Sequence, residues 1–506
     1  MRFGLKRASA GFFLAPGLGK TSIILFIFKI LKALGVVDTL LVLAKKSICY
    51  EVWPREVKKW KGLEGLKVSV VHGDREAALK RGASIFAMNY EGLQWLTHKK
   101  QRWWFNDRKI MLAVDESSKL RNHGTIRFKS LKKVLHRFVR RYILTGSPAP
   151  RSLLNLFGQI YVLDFGKSLG RYITKFRLSY FEPTGFMGKD WQLQEGGEKR
   201  LFKKIKPLVL RYGHDQLDLP PLTFIKRKVR LPRKAREQYD RMEQEFVMLF
   251  KDGAVVAANA AVASGKCRQI ANGAVFYDDY GDITDETKPF TRRWKAVHDA
   301  KLDNLVELLE ELNGEPALVA YEFRHDRERI QKYLAKHAPQ FKDAPFVDGS
   351  TRPKELKRYL RRWDRGAEPV MFAHPATAGY GLNLQGKGGI VIYFAMTWNL
   401  EDFEQFYQRV WRQGQKRRVL VYLIMAKGTV DDVMYASLKQ KDEGQQRLLR
   451  AMEKHKWKAK SSFRRHEKSS RRYGSVHDAV SERSKKRSSR VRTVDGKKRE
   501  HQRIRA

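Results

Sequence analysis

The stretch Ala15-Pro16-Gly17-Leu18-Gly19-Lys20-Thr21 constrains this chain more than any other part of it. Gly17 and Gly19 let the backbone turn successive N–H groups onto one anion, Lys20 adds a mobile positive charge, and Thr21 offers a hydroxyl to a divalent cation. An apolar run at 11–14 precedes the stretch and an apolar helical pattern at 22–34 follows it. The segment therefore reads as a phosphate-binding loop joining a strand to a helix in an α/β sheet. Gly17, Leu18, Gly19, Lys20 and Thr21 are its candidate phosphate contacts. Ala15 takes the place of the leading small residue, in a loop one residue shorter than the four-spacer form.

The rhythm around the loop supports that fold class. Apolar runs at 36–44, 68–71, 83–88, 111–114 and 142–144 alternate with amphipathic stretches, and the same alternation returns at 317–321, 346–347, 370–373, 389–394 and 419–424. Alternating strands and helices predict largely parallel sheets. Two α/β lobes are expected, at 1–190 and 301–450, with a basic helical insertion and hairpin at 191–300. Residues 451–506 hold 20 Lys or Arg against 6 Asp or Glu and little apolar material, the composition of a disordered basic tail.

Charge narrows the partners. Lys and Arg number 102 against 54 Asp and Glu, a net charge of +48, and +34 of it lies outside the tail. A surface this basic fits a polyanion such as DNA or RNA. Only Cys49 and Cys267 are present, which excludes a disulfide scaffold and a four-cysteine zinc site. The apolar run after Thr21 is interrupted by Lys29 and Lys32, so it reads as a buried helix rather than a membrane span. The N-terminus does not read as a secretion signal, and a cytoplasmic protein is expected.

Two further constellations carry chemistry. The run Met111-Leu112-Ala113-Val114 ends in Asp115-Glu116, two carboxylates at the end of a strand. Asp115 can hold Mg²⁺ and Glu116 can orient and deprotonate a water, the two roles that hydrolysis of a nucleoside triphosphate needs. In the second half, Arg409 and Arg412 are spaced to share one helix face and to aim two guanidinium groups at one triphosphate.

With these residues in view, the chain resembles the Swi/Snf-type ATPases of helicase superfamily two across most of 10–435. The resemblance runs through Gly17–Thr21 as motif I, Asp115-Glu116-Ser117-Ser118 as motif II and Leu144-Thr145-Gly146-Ser147-Pro148 as motif III. Gly379-Tyr380-Gly381-Leu382-Asn383-Leu384 matches motif V, and Gln405 through Gln415, after Trp398-Asn399, matches motif VI. Fainter echoes lie at Trp53 to Trp60, Asn89-Tyr90-Glu91 and Asp348-Gly349-Ser350-Thr351.

The resemblance implies two RecA-like lobes with ATP and Mg²⁺ between them and duplex or branched DNA lying across both. It implies translocation along DNA that remodels branched DNA or displaces bound proteins. It assigns Lys20, Asp115, Glu116, Arg409 and Arg412 to catalysis, with Thr21 and Asp115 holding Mg²⁺. Gly381 and Gln405 join the loop on the nucleotide side, while Thr145 and Ser147 couple nucleotide state to DNA position. A minimal bacterial or bacteriophage form, acting as a monomer beside replication or recombination proteins, is the expectation. A strand-separating DNA or RNA helicase is the alternative, with Tyr277, Tyr280 and Phe290 as candidate separating aromatics. Three departures stand out: Ser118 replaces the motif II histidine, only 19 residues precede Lys20, and Lys46 and Leu400 replace expected prolines.

Overall fold

A computed structural model describes residues 1–149, 152–184, 190–213, 217–251, 257–278, 292–378 and 384–442. Residues 379–383 with Gly381, the aromatics Tyr280 and Phe290, and the 451–506 tail lie outside the described residues.

The strands of the first half are β1 (Ser9–Leu14), β2 (Thr39–Ala44), β3 (Val68–Val71), β4 (Ile85–Asn89), β5 (Ile110–Asp115) and β6 (Phe138–Thr145). They are followed by β7 (Phe181–Thr184), β8 (Asp190–Leu193) and β9 (Val209–Tyr212). All but β7 and β8 form one 7-stranded sheet in the order β3-β4-β2-β5-β6-β1-β9. Every pairing in it is parallel. Strands β2 and β5 are buried along their whole length, which is why they read as unbroken apolar runs. The antiparallel pair β7–β8 stands apart as a hairpin.

The second half supplies β10 (Leu222–Val229), β11 (Ala274–Asp278), β12 (Arg292–Ala296), β13 (Ala317–Ala320), β14 (Phe346–Val347), β15 (Val370–Ala373), β16 (Ile390–Tyr393) and β17 (Val419–Ala426). Six of them make a second parallel sheet, ordered β10-β17-β16-β13-β15-β14. Strands β11 and β12 pair as an antiparallel hairpin. Both sheets belong to one compact unit. Two parallel α/β lobes, the architecture expected of RecA-like lobes, are thus present.

Two strands of the main sheets, like the β7–β8 hairpin, do not stand out in the sequence as apolar runs. β9 pairs with β1, and β10 runs beside β17 from Leu222 opposite Val419 to Val229 opposite Ala426. β10 is rich in Lys and Arg because it is an edge strand. Lys226 and Lys228 stay exposed, while Arg227 reaches Glu311 at 2.8 Å and Glu307 at 3.1 Å on the helix Ala300–Glu311. Charged edges also discourage pairing with another sheet. The basic segment between the lobes therefore contributes to both sheets, alongside the helices Arg233–Lys251 and Ala257–Asn272.

The helix Lys20–Ala33 packs Ile24, Leu25, Ile27, Phe28 and Leu31 into the core under β1 and β2. Elsewhere in this lobe, the helix Leu156–Asp164 approaches the turn after β5 so closely that a Cβ on Gly158 would lie 2.1 Å from the Leu120 carbonyl oxygen. Backbone cannot yield as a flexible side chain can. Gly158→Ala is expected to destabilise the protein by about 3 kcal/mol, the upper end for overpacking. Chemical denaturation checks this, and an unchanged midpoint would contradict the close approach.

Candidate active site between the two lobes

The phosphate loop leaves β1 at Leu14 and enters the helix Lys20–Ala33. Gly17 and Gly19 take left-handed backbone angles, φ 88° and 67°, where an L side chain is strained. Gly19 is the helix N-cap, and the first turn carries no acidic residue. Backbone N–H groups at that end are thus open to an anion, and the helix dipole favours one. Leu18 and Thr21 are half-buried on either side of Gly19 and Lys20. Lys20 Nζ donates to the Leu14 carbonyl at 2.9 Å.

Burial lowers the Lys20 pKa. Glu116 and Asp115 oppose the shift, and Arg409 and Arg412 add to it. The same five residues that the sequence marks for catalysis therefore share one electrostatic environment.

Asp115 ends β5 with its side chain buried, and Trp53 Nε1 donates to Oδ2 at 3.3 Å. The Tyr90 hydroxyl donates to the Asp115 carbonyl and, at 3.3 Å, to the Glu116 carbonyl. Glu116 has φ 54° and ψ 59°, a left-handed conformation rare outside glycine and costing on the order of 1–3 kcal/mol. Burial raises the Glu116 carboxyl above its ordinary 4.5; Lys20 opposes this and Asp115 reinforces it. Burial raises Asp115 as well, against Lys20 and the Trp53 indole.

Glu116 Oε2 is buried and has no hydrogen-bond partner among the described residues, as suits an atom aimed at a water. The donors fit Mg²⁺, which takes one or two carboxylates and leaves positions for phosphate and water oxygens. Among the described residues no cluster of three or more His, Cys, Asp or Glu side chains could hold a metal.

Arg409 and Arg412 do not share a helix face. The helix Leu400–Tyr407 ends before them. Arg409 N then bonds Phe406 O at 3.1 Å, Val410 N and Trp411 N both bond Tyr407 O, and Arg412 N bonds Val410 O at 3.2 Å, so the regular helical ladder gives way to irregular turns. Gly414, at φ 95°, follows. A three-residue spacing suits either geometry, and here the turns carry the arginines to the loop. Arg409 acts electrostatically on both Lys20 and Glu116. Burial lowers the Arg412 pKa, with Glu56 opposing. A Cβ built on Gly17 would lie 3.8 Å from Gln413 Cβ, so this second-lobe turn sits directly on the first-lobe loop.

Gln405 is buried on the preceding helix. Its Nε2 donates to Glu401 Oε1 at 3.4 Å, and its Oε1 has no partner among the described residues. Thr145 is buried and its hydroxyl oxygen accepts from Ser147 N at 3.1 Å. Gly146 abuts the loop, a Cβ there lying 3.3 Å from Pro16 Cδ.

Several residues at the site went unassigned in the sequence. Lys45, at the end of β2, is pushed down to about 7 by burial and by Lys119, against Asp402, Glu401 and Glu116. Gln159 lies fully buried in the apolar helix Leu156–Asp164, and a buried amide in such surroundings demands polar partners. Glu401, in the first turn of the helix Leu400–Tyr407, and Glu404, one turn on, are both buried.

A phosphate loop and paired carboxylates on one parallel-sheet lobe, approached by arginines from a second, define the helicase-like class of two-lobed nucleoside triphosphate hydrolases. The SNF2-related domain profile matches residues 6–274, and that of the helicase conserved C-terminal domain matches 300–414. The chain belongs to the SNF2-related family of ATP-dependent, helicase-like hydrolases.

A protein designated p41, from Acyrthosiphon pisum secondary endosymbiont phage 1, is 33% identical over 458 residues, covering 87% of this chain and 94% of its own. An uncharacterized ATP-dependent helicase of Mycoplasma genitalium is 25% identical across 69% of this chain, which spans 31% of that protein. The CHD3-type chromatin-remodeling factor PICKLE of Arabidopsis thaliana is 25% identical across 65% of the chain, which spans 23% of it. Among solved structures, the Sulfolobus solfataricus SWI2/SNF2 ATPase core in complex with dsDNA aligns with 87% of this chain and 92% of its own, at 21% identity and a TM-score of 0.38.

Proposed function

We propose that this protein hydrolyses Mg-ATP between its lobes and uses the cycle of lobe closure to move along double-stranded DNA, remodelling branched DNA or displacing bound proteins. The observation that carries the reading is the meeting of Arg409 and Arg412 with Lys20 and Glu116 at one site. Such a site is complete only when two lobes come together, so anything that binds both lobes can govern turnover. The net charge of +48 supports a polyanion as that ligand.

In this mechanism Thr21 and Asp115 would hold Mg²⁺, which would supply neutralisation of phosphate charge. Lys20 and the N–H groups of 17–21 hold the phosphates. Glu116 accepts the proton of the attacking water through the unpartnered Oε2. Arg409 and Arg412 stabilise charge that develops on the transferred phosphoryl group. Gln405 lies on the nucleotide side. The first lobe is assigned to 1–190, the second to 301–450 and the linking segment to 191–300, with β9 and β10 of that segment completing the two sheets. We assign the protein to the cytoplasm of a bacterial or phage-infected cell, as a monomer; among the described residues no helix is long and apolar enough to cross a membrane.

Phosphate release measured with duplex, branched and single-stranded DNA and with RNA tests the substrate. Displacement of a triplex-forming strand tests movement. Strong stimulation by duplex DNA with triplex displacement is expected; stimulation by RNA alone, or unwinding of tailed duplexes, would favour the strand-separating reading.

A further inference from the structure

The two serines after the strand-end carboxylates face different partners. Ser117 Oγ donates to Gln159 Oε1 at 2.8 Å, and Gln159 Nε2 donates onward to the Pro148 carbonyl at 2.6 Å. This relay joins the carboxylate turn to the Leu144–Pro148 stretch inside the first lobe. The absence of a Cβ at Gly158 admits the helix that carries Gln159.

Ser118 Oγ instead crosses to the second lobe and donates to Glu401 Oε1 at 2.8 Å, while Arg121 faces Glu401 Oε2 at 3.5 Å. Ser147 Oγ crosses in parallel and donates to Glu404 Oε2 at 2.7 Å. Ser117, Ser118, Gln159 and Glu401 are all fully buried. Both glutamates lie on the helix Leu400–Tyr407, whose end leads directly into the turns bearing Arg409 and Arg412.

Burying two carboxylates in one interface is unfavourable unless each finds its donors. Such groups add little net adhesion but penalise every docking register that leaves them unpaired. Ser118 and Ser147 belong to two first-lobe segments joined by the Gln159 relay, so they present the two donors as a fixed pair. The helix can satisfy both glutamates in one placement, and that placement sets the arginine turns on the phosphate loop.

We propose that Glu401 and Glu404 are positioning residues: with Ser118 and Ser147 they form a two-point latch that registers the arginine turns when the lobes close. The proposal rests on the reading that Arg409 and Arg412 act in hydrolysis. It also explains how a chain without the motif II histidine links its carboxylates to the rest of the site, with one serine serving each direction.

The test is a double-mutant cycle on the full chain, with Ser118→Ala, Glu401→Ala and the pair, and likewise Ser147→Ala, Glu404→Ala and the pair. Steady-state ATP turnover is measured with and without duplex DNA. Each single change is expected to lower kcat about 10-fold, the loss of one charge-assisted hydrogen bond, with the KM for ATP moving less than about 2-fold. Each double variant should be no slower than its slower single. Glu401→Gln retains an acceptor for Ser118 and should recover part of the loss; it serves, with Ser118→Ala, as the readout if Glu401→Ala does not fold.

Full kcat in Ser118→Ala and Glu401→Gln, or losses that multiply in the doubles, would overturn the latch. Wild-type turnover indifferent to DNA would instead count against the DNA reading, and the cycle on basal turnover would still decide the latch.

Discussion

Glu116→Gln is expected to bind nucleotide and to slow hydrolysis by about 10²–10⁴-fold, the range for loss of a general base. The amide keeps the shape of the side chain at its left-handed turn but cannot take a proton through the position of the unpartnered Oε2. The same burial that suits the carboxylate to its task makes it unfavourable for the fold. Its folded pKa lies above the ordinary 4.5, so between the two values the folded state binds more protons than the unfolded one. The stability contribution of this group therefore falls as pH rises through the folded pKa. Glu116→Gln is accordingly expected to melt no lower than the parent at pH 7, and slightly higher, while turnover collapses. The acid limb of wild-type kcat/KM should lie above pH 4.5 for the same reason. Single-turnover kinetics, thermal melting and a pH profile check the three expectations; a normal single-turnover rate would show that another group activates the water.

Lys20→Ala is expected to reduce ATP turnover below one tenth of the parent while leaving DNA binding nearly intact. Lys20 is the ammonium held at the loop by the Leu14 carbonyl, and it is the largest influence holding down the pKa of both Asp115 and Glu116. Its removal takes charge from the phosphates and deprives two buried carboxylates of their largest counter-charge. Protonation of the pair then shifts to higher pH, which further depletes the base. Parallel ATPase and filter-binding titrations check the separation. Turnover above one tenth of the parent would remove Lys20 from the centre of the site.

The parts of this site that could be read in the sequence are those with a single physical solution. Two glycines ahead of Lys20-Thr21 form a left-handed turn between strand and helix. A strand buried on both faces, such as β5, must be apolar until it ends at Asp115. Edge strands obey a looser rule, so β10 hid among its lysines and arginines. The arginine turns were hidden differently: residues three apart adjoin in an α-helix and in tighter turns alike, and only backbone bonds past Tyr407 distinguish them. Glu401 follows the Asn399 cap, where acids are favoured by the helix dipole in any protein, and Glu404 lies one turn further along the same helix. Their burial depends on a surface more than 250 residues away in sequence, at Ser118 and Ser147. Gln159 also went unassigned, although a lone amide in an apolar helix is a signal that a buried polar partner is needed.

The account turns on a site completed from both lobes, and the arginines test it most directly. In Arg409→Lys and Arg412→Lys the charge remains while the planar fork is lost. Both groups act mainly on charge that develops in the transition state, so each change should cut duplex-stimulated kcat, by up to about 10³–10⁵-fold for a full arginine finger, and alter ATP affinity far less. The measurement is kcat at saturating duplex DNA beside the nucleotide dissociation constant for each variant. A large fall in kcat with near-parental affinity is the predicted result; full duplex-stimulated kcat in both variants would contradict it.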